Sequence, residues 1–199
     1  MRVTLFKKNP KVYSCNVYLV RGDWNAIDDV NTLIDVGTDD YVLSELETIS
    51  TGVGKRRVEQ VVLTHEHFDH AGGLKHVKKV YNPKVYAYSK INGVDIRVRD
   101  SMKLKIGDTY GIILHTPGHS NDSICIYCEQ EKVLFSGDTA VNIKVPGGSY
   151  SSEYHQVLKR ICKLDIKTIY SGHDDPVLDR AEEMLKMTLK NVESSKIID

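Results

Sequence analysis

Val61-Val62-Leu63-Thr64-His65-Glu66-His67-Phe68-Asp69-His70-Ala71-Gly72-Gly73 is the stretch that decides the fold. A short apolar run, Val61–Leu63, reads as a buried strand and ends in four potential metal ligands within six residues. In extended chain, positions i and i+2 point the same way, so His65 and His67 are placed to close on one ion. Asp69 and His70 come after the chain has turned, with Asp69 placed to cap a helix beginning near Ala71. They would face a second point, roughly one metal–metal spacing away. Imidazole suits zinc and other borderline metals, and carboxylate adds a hard oxygen ligand. A polar loop of surface histidines is the competing explanation. It does not account for a His-x-His-x-Asp-His run placed directly after Val-Val-Leu.

The surrounding chain supports a globular setting. Its 199 residues are enough for one domain, 1–199, with a sizeable core, and the composition is 41% hydrophobic and 27% charged. Lys plus Arg and Asp plus Glu number 27 each, giving a formal net charge of zero. That balance argues against a general nucleic-acid or anionic-membrane binder. The opening residues lack the apolar core of a signal peptide, and no run approaches a membrane span. A cytoplasmic protein acting on a small molecule is the expectation, and nothing in the sequence sets its oligomeric state. Cys15, Cys125, Cys128 and Cys162 are even in number, but the chain is too large and core-rich to need a disulfide frame. Cys125 and Cys128 match Cys-x-x-Cys, but they lie in a strand-like run where residues three apart face opposite sides. Both read as packing thiols.

Taken in order, strands are expected at Arg2–Phe6, Asn16–Val20 and Thr32–Val36, the last delivering Asp35 at its tip. A helix is expected over Asp39–Ile49, with Asp39-Asp40 at its positive end and Thr51-Gly52-Val53-Gly54 as its stop. After the histidine cluster come a helix with Leu74, Val77 and Val80 on its apolar face, and a strand over Val85–Tyr88. The second half offers strands at Met102–Lys105, Gly111–Leu114, Ser123–Cys128 and Lys132–Phe135, the last leading to Asp138. A helix over Glu153–Leu164 and a strand over Ile166–Tyr170 lead to His173. Both halves therefore read strand, Asp, helix, strand, His. A closing helix runs from about Asp179, with Asp179 and Glu182 as a capping pair, and the polar tail from Glu193 is expected to fray.

Collected, the strand-end residues are His65, His67, Asp69, His70, His119 in Thr116-Pro117-Gly118-His119-Ser120, Asp138 and His173. This set resembles the metal ligands of the metallo-β-lactamase fold superfamily, and more narrowly its glyoxalase II-like hydrolases. The resemblance runs from Asp35 to His173. It implies an α/β (α+β) fold, a four-layer αβ/βα sandwich of two pseudo-repeated halves with the site at the edge between two sheets. It implies that His65, His67 and His119 hold one divalent ion, that Asp69, His70 and His173 hold a second, and that Asp138 bridges them. Zinc is the expected metal, with iron and manganese as alternatives. Asp35 alone reads equally as a turn residue; the resemblance makes it an outer residue that orients a ligand imidazole. Catalytic roles are thereby expected for Asp69, Asp138 and Asp35. His76, His115 and His155 match no ligand position.

The implied activity is a binuclear hydrolase that turns a metal-bound hydroxide on an activated acyl group such as a thioester or lactone. The alternative is an iron-dependent redox enzyme of the same fold: all seven ligands would fit the di-iron site of the oxygen-reducing flavo-diiron proteins, although no flavodoxin-like partner domain is expected here, and a persulfide dioxygenase would use only part of them. A phosphodiesterase or nuclease is a third reading, disfavoured by the balanced charge. A purely structural metal site is disfavoured because such sites are usually cysteine-rich. The sequence runs only a short way past His173, so the C-terminal helical region of glyoxalase II is not expected in it. Broad acyl specificity with weak preference for glutathione conjugates and little β-lactamase activity is therefore expected. Lys144 and Tyr150, in the connection after Asp138, could flank the site.

Overall fold

The structure, a computed structural model, describes residues 1–24, 26–52 and 54–199. Val53, part of the expected helix stop, lies outside the described residues. In chain order the first half contains β1 (Arg2–Phe6), β2 (Val17–Arg21), β3 (Thr32–Ile34), α1 (Tyr41–Glu47), β4 (Gln60–Val62), α2 (Phe68–Ala71), α3 (Leu74–Tyr81), β5 (Lys84–Ala87) and β6 (Ile96–Arg97). The second half contains β7 (Lys103–Ile106), β8 (Thr109–His115), β9 (Ile124–Cys128), β10 (Val133–Gly137), β11 (Ser149–Ser151), α4 (Ser152–Ile161), β12 (Thr168–Ser171), α5 (Ala181–Glu193) and β13 (Lys196–Ile198).

One sheet has the order β1-β2-β3-β4-β5-β6 and the other β12-β10-β9-β8-β7. The alternation of buried side chains shows how they stack. In β2, Val17 and Leu19 pack with Val42 and Leu46 of α1 and with Leu74 and Val77 of α3, whereas Tyr18 and Val20 face the other sheet. In β9, Ile124, Ile126 and Cys128 face the first sheet, whereas Cys125 and Tyr127 pack with Val157 and Ile161 of α4 and Leu185 of α5. The layers are helix, sheet, sheet, helix. Strands buried on both faces must be apolar at nearly every position, which is why β2, β9 and β10 carry no period-2 polarity. Cys125 and Cys128 fall on opposite faces as expected. Burial pushes their thiols up to about 11 and about 12, so both stay protonated packing groups.

The pseudo-repeat is visible in the pairing. β3 and β4 are parallel neighbours joined through α1, and β10 and β12 are parallel neighbours joined through α4. Each crossover brings a carboxylate and a histidine to the same ends of two adjacent strands.

Four expectations are corrected. Val80 is 56% exposed, because α3 buries only Leu74 and Val77 against the sheet. Asp69 does not cap a helix; α2 begins at Phe68, so Asp69 lies inside its first turn. Asp179 and Glu182 make no capping pair: α5 is preceded by Arg180 in the left-handed conformation, φ 54°, with no side-chain cap. The tail does not fray, because β13 pairs in parallel with β11. Two-residue and three-residue strands such as β6, β11 and β13 carry too few positions for a period to be read. Among the described residues no helix is long and apolar enough to cross a membrane.

Phe135 is fully buried between the sheets, its ring 5.8 Å from Tyr18 and 5.2 Å from Tyr170. Phe135→Ala should cost about 3–5 kcal/mol, whereas Val80→Ala on the exposed face should stay within about 0.5 kcal/mol. Urea denaturation midpoints of the two variants check both.

Candidate metal centre

All seven residues singled out in the sequence converge where the C-terminal ends of β3, β4, β10 and β12 meet. The backbone sets this junction. Ile124 N donates to Thr64 O at 2.9 Å, tying the first sheet's histidine segment to β9 of the second. Val36 N donates to His70 O at 2.9 Å, Gly172 N to Gly137 O at 2.8 Å and Asn16 N to Gly172 O at 2.6 Å. His119 comes from the connection between β8 and β9. Thr116, in the same connection, shares a 2.9 Å hydrogen bond with Thr139, the neighbour of Asp138.

The side chains form two groups with Asp138 between them. The ligating atoms of His65, His67 and His119 lie within 4.8 Å of one another, as do those of Asp69, His70 and His173. His67 Nδ1 and His119 Nε2 are 3.0 Å apart, and His173 Nε2 is 3.1 Å from Asp69 Oδ2. Two ligands of one tetrahedral ion with bonds of ~2.0–2.1 Å are about 3.3 Å apart, so these spacings suit a shared ion. Asp138 Oδ2 is 3.5 Å from His119 Nε2, 4.0 Å from His65 Nε2 and 3.3 Å from His173 Nε2, while Oδ1 is 3.2 Å from His70 Nε2. This carboxylate reaches both groups.

Asp35 lies behind the seven candidate ligands, in a fully buried group with Cys15 and His70. It sits just past the end of β3 with φ 58°, a left-handed conformation that Asp tolerates better than most residues. Its Oδ1 accepts from Thr64 N at 2.7 Å, and its Oδ2 accepts from Thr64 Oγ1 at 2.9 Å and faces His70 Nδ1 at 2.8 Å. This leaves His70 Nε2 pointing at Asp138 and Asp69. Thr64, whose role the sequence reading missed, carries the same effect onward. With its hydroxyl proton committed to Asp35, its oxygen can accept from His65 Nδ1, 3.1 Å away, leaving His65 Nε2 as a lone pair. Its adjacency to His65 at a strand end was the only clue to that role. Cys15, also missed, is buried beside Asp35 and His70, and burial pushes its thiol up to about 11.

Three buried polar atoms of the cluster have no hydrogen-bond partner among the described residues: His65 Nε2, His70 Nε2 and Asp138 Oδ1. The last two are 3.2 Å apart but out of line for a hydrogen bond. Buried groups of this kind are costly unless something satisfies them. All three point into the space between the two groups, and their chemistry fits divalent cations. Burial holds the His65 pKa down, to about 4, so it is a neutral donor at ordinary pH. Burial also works against a charged His70, but the Asp35 carboxylate more than offsets this and its pKa is raised. Burial likewise opposes ionisation of Asp138; the facing His70 and its fellow imidazoles reverse that and draw it down to about 2.

The cluster opens to one side. A cavity of about 290 Å³ is lined by His119, Asp138, Ser149, Tyr150 and Tyr154, and a neighbouring one of about 240 Å³ by Asp138, Asn142, His173 and Asp174. Tyr150 thus flanks the site; Lys144 is exposed and lines neither cavity. The loop from Val141 to Gly147 is fastened to α5 and to Ser195 just beyond it. Thr188 Oγ1 donates to Val141 O and accepts from Ile143 N, Asn191 donates to Ile143 O, and Gly147 N donates to Ser195. His115 stacks on Tyr88 with centroids 4.0 Å apart and His155 faces Glu193 at 3.3 Å, so neither joins the cluster.

The crowding and the protonation of the site can each be tested. A Cβ on Gly172 would lie 2.1 Å from Asp138 Oδ1 and 2.8 Å from His70 Cε1. Gly172→Ala should therefore weaken metal binding by about 10–100-fold with the fold retained, as read by circular dichroism and metal titration. A raised His70 pKa means that an ion must displace a proton there near neutral pH, whereas His65 has none to lose. Binding beside His70 should release about one proton and tighten about tenfold per pH unit near neutrality. Calorimetric zinc titrations in buffers of different ionisation enthalpy would show it.

The model of the metallo-beta-lactamase superfamily matches residues 10–105 and 93–173. A hydroxyacylglutathione hydrolase of Francisella tularensis subsp. novicida (strain U112) is 39% identical over 129 residues, 60% of this chain and 51% of that protein. The chain spans about half the length of the curated relatives it matches. Among solved structures, a metallo-beta-lactamase family protein from Thermus thermophilus superposes with a TM-score of 0.70 at 18% identity, covering 96% of this chain and 79% of that one. The di-iron-bound form of TTHA1623 superposes with a TM-score of 0.69 at 20% identity, covering 94% and 98%. These two are likenesses of fold. With the family model extending over the residues that carry this site, the chain belongs to the metallo-β-lactamase superfamily.

Proposed function

We propose that the chain is a binuclear metal-dependent hydrolase of activated acyl compounds, thioesters first. The observation that carries this reading is the convergence of seven potential ligands around orphaned buried atoms of His65, His70 and Asp138. His65, His67 and His119 would hold one ion, Asp69, His70 and His173 the other, and Asp138 both. Zinc is the metal of choice, because imidazole suits it and sites of mixed imidazole and carboxylate ligation are typical of catalytic rather than structural zinc. When bound, the two ions would supply a water ionised near neutral pH and positive charge for the developing oxyanion.

The protein's own contribution is orientation. Asp35 and Thr64 occupy the Nδ1 atoms of His70 and His65, which leaves the Nε2 atoms as the donors that would hold the ions. Asp138 couples the two positions through one carboxylate. The cavity beside His119 and Tyr150 gives an acyl chain a place to lie, and the loop that α5 holds contributes Val141 and Asn142 to the neighbouring cavity. The thioester preference draws support from the hydroxyacylglutathione hydrolases among the relatives. An iron-dependent redox reaction is the second reading, favoured by the di-iron-bound neighbour of the same fold.

Protein purified without added metal and analysed for zinc, iron and manganese should contain up to two equivalents, mainly zinc. Aryl thioesters and S-lactoylglutathione should turn over, and a cephalosporin should not. A metal-saturated chain with one equivalent would reject the binuclear reading. Oxygen uptake with a persulfide by the iron form alone would select the redox reading. Asp138→Ala should abolish turnover and loosen both ions, whereas Asp35→Asn should lower affinity or activity by about 10–100-fold. Metal content and kcat/KM of the two variants distinguish bridge from support.

A further inference from the structure

An aromatic side chain stands beside the cluster, on the side away from the two cavities. Tyr13 lies in the segment between β1 and β2. Its ring stacks on His173, with centroids 5.1 Å apart and planes at 22°. Its phenolic oxygen is 3.4 Å from His173 Nε2. That nitrogen is also the atom that faces Asp69 and Asp138, at 3.1 and 3.3 Å. The phenol therefore reaches the rim of the position that Asp69, His70 and His173 surround.

The segment is held there although the ring is 66% exposed. Thr38 Oγ1 donates to Tyr13 O at 2.5 Å, Lys8 Nζ donates to His173 O at 3.2 Å, and the Phe68 ring lies 6.4 Å from that of Tyr13. A separation of 3.4 Å from one ligand atom is close to the ~3.3 Å edge between two groups around one tetrahedral ion. The phenolic oxygen thus stands within reach of a group that would be held at the position Asp69, His70 and His173 surround. Once His173 Nε2 is committed to an ion it cannot accept from the phenol. The O–H is then free to turn toward an incoming oxygen.

Resting on the hydrolase reading, we infer that Tyr13 is a catalytic residue whose O–H donates a hydrogen bond to the substrate acyl oxygen at the Asp69/His70/His173 position. No proton is transferred along this hydrogen bond. Its hydrogen bond strengthens as that oxygen gains charge, and it persists to the carboxylate product. Tyr13→Phe removes the hydroxyl and keeps the ring that stacks on His173, so it separates this role from packing.

Two readouts are needed on zinc-loaded protein: calorimetric binding of phenylacetate, a simple carboxylate with an apolar arm, and steady-state hydrolysis of an aryl thioester. Y13F should bind phenylacetate about 10–100-fold more weakly, the range for a hydrogen bond to a charged group. Its kcat should fall by a similar factor with KM little changed, and its zinc content should equal that of the unaltered chain. Phenylacetate affinity and kcat both within about twofold of the unaltered chain would overturn the inference and leave Tyr13 as packing. Loss of one zinc from Y13F would also overturn it, because the phenol would then be a ligand and not a donor to substrate. If the unaltered chain hydrolyses no thioester, the hydrolase reading fails, and the phenylacetate comparison decides the role of Tyr13 by itself.

Discussion

The 2.8 Å contact between Asp35 and His70 Nδ1 is the constraint on which the rest of the site depends. Both groups are buried, and a carboxylate in that setting is tolerable only when its oxygens are satisfied. Asp35 meets this with the Thr64 amide, the Thr64 hydroxyl and the His70 ring. In doing so it settles the orientation of two imidazoles, His70 directly and His65 through Thr64. The left-handed backbone at Asp35 aims the carboxylate sideways across the end of β4. A residue that extended β3 would not turn there.

Two crossovers of the same kind explain how residues far apart in sequence reach this point. A parallel pair places the C-terminal ends of both strands on one edge, and the intervening helix must pack on the outer face of its sheet. The first half contributes Asp35 and the His65–His70 segment, and the second contributes Asp138 and His173. Face-to-face packing of the sheets through Tyr18, Ile34, Ile126 and Phe135 then brings the two edges together. The absence of a side chain at Gly172 lets β12 close on Asp138 and His70. Core packing and ligand geometry are thus one problem: a shift of one sheet over the other would part the donors.

The walls of the site are built differently from its floor. The ligands sit on strand ends and short turns held by main-chain hydrogen bonds between the sheets. The loop carrying Asn142 to Tyr150 is instead fastened by α5 side chains and by the β11–β13 pair. On the other side stand Tyr13, Phe68 and Lys8. A rigid metal-binding floor with walls borrowed from separate segments allows the chemistry to be kept while the walls vary.

The sequence by itself located the seven candidate ligands that converge in the fold and the order of the main secondary elements, while the grouping of the ligands came from the family resemblance. Val61–Leu63 running into His65, His67, Asp69 and His70 has few other physical readings, and Asp35, His119, Asp138 and His173 each stand at or just past the end of an apolar run. Periodicity located the main strands and helices for the same reason: burial on one or both faces dictates where apolar residues recur. Tertiary structure alone decided the rest. That Val80 is exposed depends on how α3 lies on its sheet. That Lys196–Ile198 forms a strand depends on the edge that β11 offers from the far side of α4, β12 and α5. Thr64, Cys15 and Tyr13 gain their places at the site from what lies across from them in space, and a single chain of residue types carries no record of such through-space partners.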